Sequence, residues 1–166
     1  MLQPTVRRTW APRGQTPILR SYDRRDRITA VSAVTLSPSR RRLGLHFDLL
    51  DHNMKAEDFE LFVVRMLRKV RGRVTIVLDR LGAHRSAATR LLVRYPNRLR
   101  FEWLPPYSPQ LNPTEHVWGY TKHGRLANFV PDHIRHLGRA AAAEFRRLHR
   151  HQSLLRSFFK QARLPL

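Results

Sequence analysis

The chain has 166 residues, and its 32 Lys and Arg residues against 12 Asp and Glu residues give a formal net charge of +20. It contains no cysteine, which excludes disulfides, thiolate metal sites and cysteine nucleophiles. With 42% hydrophobic residues it has the composition of a folded domain, and it lacks the run of about 20 apolar residues that crosses a membrane. We therefore expect one domain over residues 1–166 that is neither secreted nor inserted in a membrane.

The excess of basic residues predicts a polyanionic partner. Self-repulsion at a charge of +20 is relieved when phosphates neutralise the basic side chains, so nucleic acid is the first candidate, and we expect a nucleoid-associated protein of the cytoplasm. Of the 32 basic residues 28 are arginines, which bind phosphate through two hydrogen bonds. A GC-rich coding sequence would also favour arginine over lysine, but it does not explain why acids are so few.

The first half of the chain is patterned as two strands and a helix. Apolar alternation predicts strands over residues 28–36 and 43–49, joined in a hairpin by Ser37-Pro38-Ser39. Residues 55–70 change to helical spacing, with acids in the first turns and basic residues in the last, which predicts an amphipathic helix.

The second half alternates strands and helices. The apolar run 74–78 predicts a strand covered on both faces, as in a parallel sheet, and residues 99–103 predict its parallel neighbour after a helix at 86–95. Helices are predicted from residue 112 to 122 and through the C-terminal part, about 131–166. This order predicts an α/β domain with a mixed sheet flanked by helices, and it resembles an RNase H-like fold.

Two acids stand where the chemistry of such a domain is expected. Asp79 directly follows the buried strand, at the sheet edge where α/β proteins place their ligands, although an aspartate in a turn or helix cap would look the same. Glu115 falls in the first turn of a helix behind Asn112 and Pro113, where it would also serve as the distal acid of a capping box. Together the two acids offer oxygen ligands for Mg²⁺ beside substrate phosphates.

Four segments carry a resemblance to a known family. Residues 78–84 (LDRLGAH) and 103–118 (WLPPYSPQLNPTEHVW) resemble the catalytic half of DDE transposases from bacterial insertion sequences related to the mariner superfamily, insertion-sequence family 630. Residues 9–17 (TWAPRGQTP) and 124–129 (GRLANF) are similar to the same family, so the resemblance covers nearly the whole chain.

The resemblance implies a chemistry and a set of partners. In this family two aspartates and a glutamate bind two divalent metal ions, Mg²⁺ or Mn²⁺, and water or a 3′-hydroxyl attacks the DNA backbone. By the match, Asp79 is the second acid and Glu115 the third. The implied partners are transposon-end and target DNA, with two copies of the protein paired on the DNA.

The family's first acid has no counterpart at the matching place. It lies on a strand just upstream of the segment that resembles residues 9–17, and only eight residues precede Thr9. We expect surface or turn roles for the four nearby aspartates, which are Asp23, Asp26, Asp48 and Asp51. We therefore expect an N-terminally truncated catalytic part that lacks the central strand of the sheet and is inactive alone. The product of an upstream reading frame is a candidate for completing it.

Five further residues are candidates for contact with DNA: Arg80, His84, Trp118, Lys122 and Arg125. His84 is also typical of a loop or helix start, and Trp118 of ordinary packing. Arg80 replaces the asparagine that commonly follows the second acid in related enzymes.

The sequence leaves a second function open, a basic DNA-binding or subunit-interaction remnant without catalysis. It also leaves open whether the chain is a frameshifted half, the result of a misplaced start, or a decayed copy.

Overall fold

The computed structural model describes residues 2, 5–18 and 27–165; Asp23 and Asp26 lie outside these residues. In chain order the elements are β1 (Thr29–Leu36), β2 (Leu43–Leu50), α1 (Ala56–Lys69), β3 (Val74–Leu78), α2 (Gly82–Arg94), β4 (Leu99–Trp103), α3 (Pro113–His123), α4 (Ile134–Arg150) and α5 (Gln152–Gln161). The predicted elements are all present, but α2 begins four residues earlier than its periodicity indicates, and the last helix, predicted through residue 166, ends at Gln161.

The first two strands form the predicted antiparallel hairpin. Thr29 lies opposite Leu50 and Leu36 lies opposite Leu43. The connecting turn is closed by a hydrogen bond from the Ser37 N–H to the Arg42 carbonyl at 2.9 Å. Arg40 has a φ of 55°, in the left-handed region that a tight turn requires.

The next two strands form the predicted parallel pair, with Val74 opposite Leu99 and Leu78 opposite Trp103. Helices α1 and α2 pack on one face of this pair. The other face is open, since Val77 is 58% exposed. The expectation that residues 74–78 are covered on both faces is therefore wrong, because no described element packs on the second face of β3.

The strands do not join into the single mixed sheet that was expected. Within the described residues, β1 pairs only with β2 and β3 pairs only with β4, which gives two small sheets. Val31 of β1 and Leu78 of β3 nevertheless belong to one apolar cluster, which α1 completes with Phe62 and Val63. The two sheets thus lie beneath the same helix, and their neighbouring strands are not hydrogen-bonded to each other.

A second apolar cluster holds the C-terminal helices on the hairpin. Phe145 and Leu148 of α4 and Leu155 of α5 are fully buried against Leu45 of β2. The Phe145 ring stacks on Phe47, with 5.0 Å between ring centroids. None of the helices in the described part of the chain combines the length and apolarity needed to cross a membrane.

Candidate active site

Asp79 is held at the end of β3 by its local hydrogen bonds. Its Oδ1 accepts a hydrogen bond from the Leu81 N–H at 3.1 Å and lies 2.6 Å from Nδ1 of His84. The side chain is 55% exposed, and its Oδ2 has no hydrogen-bond partner among the described residues. One carboxylate oxygen is therefore positioned by the protein and the other is available to a ligand.

His84 lies in the first turn of α2 and is held on two sides. Its side chain is only 15% exposed, and its ring lies on the ring of Phe59, with 4.4 Å between centroids. Because the carboxylate oxygen accepts, Nδ1 carries the proton and donates to Asp79. The sequence pattern identifies Phe59 as part of the buried face of α1, but it contains no signal that this ring meets His84.

Glu115 lies in the first turn of α3, whose start is capped by Asn112. The Asn112 side-chain oxygen accepts a hydrogen bond from the Thr114 N–H at 3.0 Å. The N–H of Asn112, which a capping box would offer to Glu115, instead donates to the Pro109 carbonyl at 3.0 Å. The Glu115 carboxylate is therefore not used by the cap.

The two acids interact electrostatically. Partial burial raises the pKa of Glu115 above its ordinary value, and the negative charge of Asp79 raises this pKa further. The nearby His116 acts in the opposite direction but is a smaller influence. The loop after β3 and the start of α3 thus bring two carboxylates near enough to repel each other.

Two of the DNA-contact candidates make contacts within the fold. The Arg80 Nε is 3.4 Å from the Leu104 carbonyl, so the side chain reaches across from the end of β3 to the end of β4. The indole N–H of Trp118 donates to the Ser32 hydroxyl of β1 at 2.8 Å, and its ring packs on the core of the hairpin. The structure thus gives Trp118 the packing role that the sequence also allowed.

The remaining candidates lie at the end of α3 and just beyond it. The Lys122 carbonyl accepts a hydrogen bond from the Thr5 hydroxyl at 2.9 Å. Arg125 is exposed, with its guanidinium 3.9 Å from the buried carboxylate of Glu144. Neither residue contacts Asp79 or Glu115 in the described structure.

The motif segment 124–129 contacts the chain just before the motif segment 9–17. The Asn128 side chain accepts a hydrogen bond from the Arg7 N–H at 2.7 Å and donates to the Arg7 carbonyl at 2.9 Å. Asn128 has a φ of 58°, which asparagine tolerates better than most residues. This contact fixes the start of the segment 9–17 beside the end of α3 and leaves Trp10 fully exposed.

With helices around two small strand pairs, the chain has a mixed α/β fold of the RNase H-like class, and Asp79 and Glu115 lie on separate elements of it. The sequence profile of the DDE superfamily endonucleases matches residues 1–135, and the chain belongs to this superfamily. This confirms the resemblance that the motifs carry.

The crystal structure of the Mos1 strand transfer complex contains a chain of similar fold. The TM-score is 0.58 at 18% sequence identity, over 98% of this chain and 47% of the Mos1 chain. The chain therefore spans about half the length of that protein. No curated protein matches the sequence.

DDE superfamily endonucleases generally use divalent metal ions. Within the described residues no group of three or more His, Cys, Asp or Glu side chains forms a metal-binding cluster. Asp79 and Glu115 are hard oxygen donors whose negative charges repel each other, which suits one divalent cation.

Proposed function

We propose that this chain is the catalytic part of a transposase of a bacterial insertion sequence, which cuts DNA strands and transfers them to a new site. The observation that carries the proposal is the pair Asp79 and Glu115, two acids that lie on separate elements and interact electrostatically. Membership of the DDE superfamily endonucleases supports the same reaction class.

Asp79 and Glu115 are the residues that would hold Mg²⁺ or Mn²⁺, which when bound stabilises the charge of a phosphodiester under attack by water or a 3′-hydroxyl. His84 holds Oδ1 of Asp79, and Oδ2 would be the oxygen that binds the ion. Asn112 fixes the first turn of α3 and with it the backbone of Glu115.

We further propose that a third acid and a strand between β1 and β3 come from a segment preceding this catalytic part, or from the product of an upstream reading frame. The support is that β1 and β3 lie beneath the same helix but, within the described residues, are not hydrogen-bonded to each other. A strand inserted there would pair with both edges, and an acid at its end would supply the missing ligand for a second ion.

DNA at the transposon ends and at the target is the proposed substrate, bound in the cytoplasm by two copies of the complete enzyme. The formal charge of +20 supports a phosphate-rich partner. A DNA strand transfer complex as a neighbour in fold is consistent with that partner.

The test is a nuclease and strand-transfer assay with Mg²⁺ or Mn²⁺ on two proteins, the 166-residue chain and the same chain extended upstream by a strand that ends in aspartate. We expect activity from the extended protein only. Asp79→Asn and Glu115→Gln should each abolish it, whereas Glu102→Gln, at an exposed acid on β4 that pairs with Arg100, should not.

Metal-dependent cleavage by the 166-residue chain that is abolished in Asp79→Asn would show that another acid replaces the missing one, and the proposal of an added strand and acid would fail. An extended protein that binds DNA but never cuts it would favour the non-catalytic remnant instead.

A further inference from the structure

Exposed arginines gather at one corner of the hairpin. Arg40, Arg41 and Arg42 follow one another in the turn between β1 and β2, and all three are exposed. Arg150 is exposed at the end of α4, and Arg156 lies on α5. We call these five residues the basic corner.

Hydrogen bonds along the outer edge of β2 bring the two parts of the basic corner together. The Gln152 side chain accepts a hydrogen bond from the Leu43 N–H at 2.9 Å and donates to the Leu43 carbonyl at 2.8 Å. His149 contacts the backbone of Leu45 at 3.1 Å. These residues sit at the junction of α4 and α5, so the junction is fixed directly beside the arginine turn.

Arg156 connects α5 to the arginine turn. The Arg156 guanidinium donates to the carbonyl of Arg41, which ties α5 to the turn. Arg156 is thereby oriented toward the tip of the hairpin, and the three turn arginines extend from a backbone that is held on both sides.

Within the described residues, no acid pairs with an arginine of this corner. The sequence has no Asp or Glu between Arg27 and Phe47, and none after Glu144. Of the acids beside these two stretches, Asp48 pairs with Arg65 at 3.1 Å and Glu144 pairs with Arg147 at 2.7 Å. Among the described residues, none of the five arginines forms an ion pair with a carboxylate.

We propose that the basic corner is a second binding site, separate from Asp79 and Glu115, for the phosphate backbone of duplex DNA. The proposal rests on the proposed function in that DNA is the substrate. Arginine suits this role because its planar guanidinium binds phosphate oxygens in pairs and stays charged at any physiological pH. Two of the five arginines, Arg150 and Arg156, lie beyond residue 135, outside the region that matches the superfamily.

The site is expected to be insensitive to base sequence. Its side chains extend from a turn and a helix junction, and they offer charge to phosphates without presenting an element that fits into the major groove. Its contribution should therefore appear as a salt-dependent part of the affinity that is the same for unrelated DNA sequences.

The test compares two variants of equal charge by fluorescence anisotropy with labelled duplexes, in EDTA so that no divalent ion contributes. The corner variant combines Arg40→Asn, which tolerates the positive φ, with Arg41→Gln and Arg42→Gln. The control combines Arg68→Gln, Arg71→Gln and Arg73→Gln, which are exposed arginines at the end of α1 and before β3. Each variant lowers the formal charge from +20 to +17, since three positive charges are removed.

We expect the slope of log affinity against log salt to become shallower by about 3 in the corner variant, about 1 for each arginine that no longer binds a phosphate, and by less than about 1 in the control. The single variants Arg41→Gln and Arg42→Gln should each change the slope by about 1, which keeps the test valid if the triple variant has a lower melting temperature.

Equal slopes for the corner variant and the control would overturn the proposal while leaving DNA as the substrate. The proposal would also be overturned if the corner variant had a lower affinity than the unmodified chain for duplex RNA but the same affinity for duplex DNA. Absence of salt-dependent DNA binding in the unmodified chain would instead count against the proposed function itself.

Discussion

At the scale of single residues, the candidate site depends on how Asp79 and Glu115 are held. Asp79 is oriented by a side-chain donor, His84, and by a backbone donor at Leu81. Among the described residues Glu115 has no such donor, and its position follows from the first turn of α3, which Asn112 caps. One acid is therefore fixed by hydrogen bonds to its carboxylate and the other by its helix.

Removing the His84 donor should weaken binding of divalent ions. We expect His84→Ala to lower the affinity for Mn²⁺ by about tenfold or more, the usual effect of removing a residue that orients a metal ligand. His84→Asn places an amide N–H near the position of Nδ1 and should retain most of the affinity. Mn²⁺ binding followed by electron paramagnetic resonance gives the measurement.

The two variants form a matched pair because neither retains the ring that packs on Phe59. Equal decreases of affinity in His84→Ala and His84→Asn would mean that packing, and not the hydrogen bond to Asp79, is what the histidine provides.

The partial burial of Glu115, together with its repulsion by Asp79, should make stability depend on pH. Its pKa is raised in the folded state, so the folded chain binds this proton more tightly than the unfolded chain, and stability falls as pH rises from the unfolded pKa through the folded pKa. Glu115→Gln should therefore raise the melting temperature at pH 7 to 8 by a few degrees at most. The increase should shrink toward pH 4, where the carboxyl of the unmodified chain is protonated.

The melting temperatures of the unmodified chain and of Glu115→Gln, measured by circular dichroism from pH 4 to pH 8, test this prediction. An increase of the same size at both ends of the range would show that the charge of Glu115 is not its source.

At the scale of elements, the two sheets differ in how their edges are covered. The outer edge of β2 is closed by the side chains of Gln152 and His149. The edge of β3 away from β4 has no such cover within the described residues. The Val74 N–H donates to the Arg98 carbonyl and the Leu78 carbonyl accepts from the Leu104 N–H, so alternate residues of β3 bond to β4.

Thr75 and Val77 alternate along β3 with the residues that bond to β4, and therefore direct their N–H groups to the open edge. We expect these two amides to exchange with solvent at least about tenfold faster than those of Ile76 and Leu78. Adding a peptide or an N-terminal extension that supplies the missing strand should slow them to the rate of their neighbours. Hydrogen exchange followed by NMR resolves the four positions.

Slow exchange at Thr75 and Val77 in the 166-residue chain, at a dilution where it is monomeric, would show that this edge is already paired. The proposal of an added strand would then fail.

At the scale of the whole molecule, net charge opposes folding. With 32 basic and 12 acidic residues, exposed arginines repel one another across the surface, and the ion pairs that form engage only part of them. The Debye length is about 10 Å at 0.1 M salt and about 30 Å at 0.01 M, so low salt leaves most of this repulsion unscreened.

We expect the melting temperature to rise when NaCl is raised from about 10 mM to about 150 mM, because screening lowers the self-repulsion of the folded state more than that of the expanded chain. Duplex DNA at low salt should raise it as well, since a ligand of the folded state stabilises that state. A melting temperature that falls or stays constant over this range would contradict a charge-limited stability.

The sequence alone determined the elements, because periodicity is a local property. Residues 74–78 and 99–103 were predicted as strands with the bounds that the structure has, and Asn112 and Pro113 marked the start of α3. The motifs around Asp79 and Glu115 also indicated the family, since residues 78–84 and 103–118 carry that resemblance without reference to the fold.

Only the tertiary structure decided which residues meet. That His84 packs on Phe59 and donates to Asp79, that Trp118 bonds to Ser32, and that the arginine turn lies beside α5 are interactions between elements far apart in the chain. The sequence pattern also could not predict the exposure of Val77, because an apolar run has the same sequence whether or not a neighbouring element covers the second face of the strand. Burial and pairing depend on which surfaces pack against each other, and a linear sequence contains that information only through the fold.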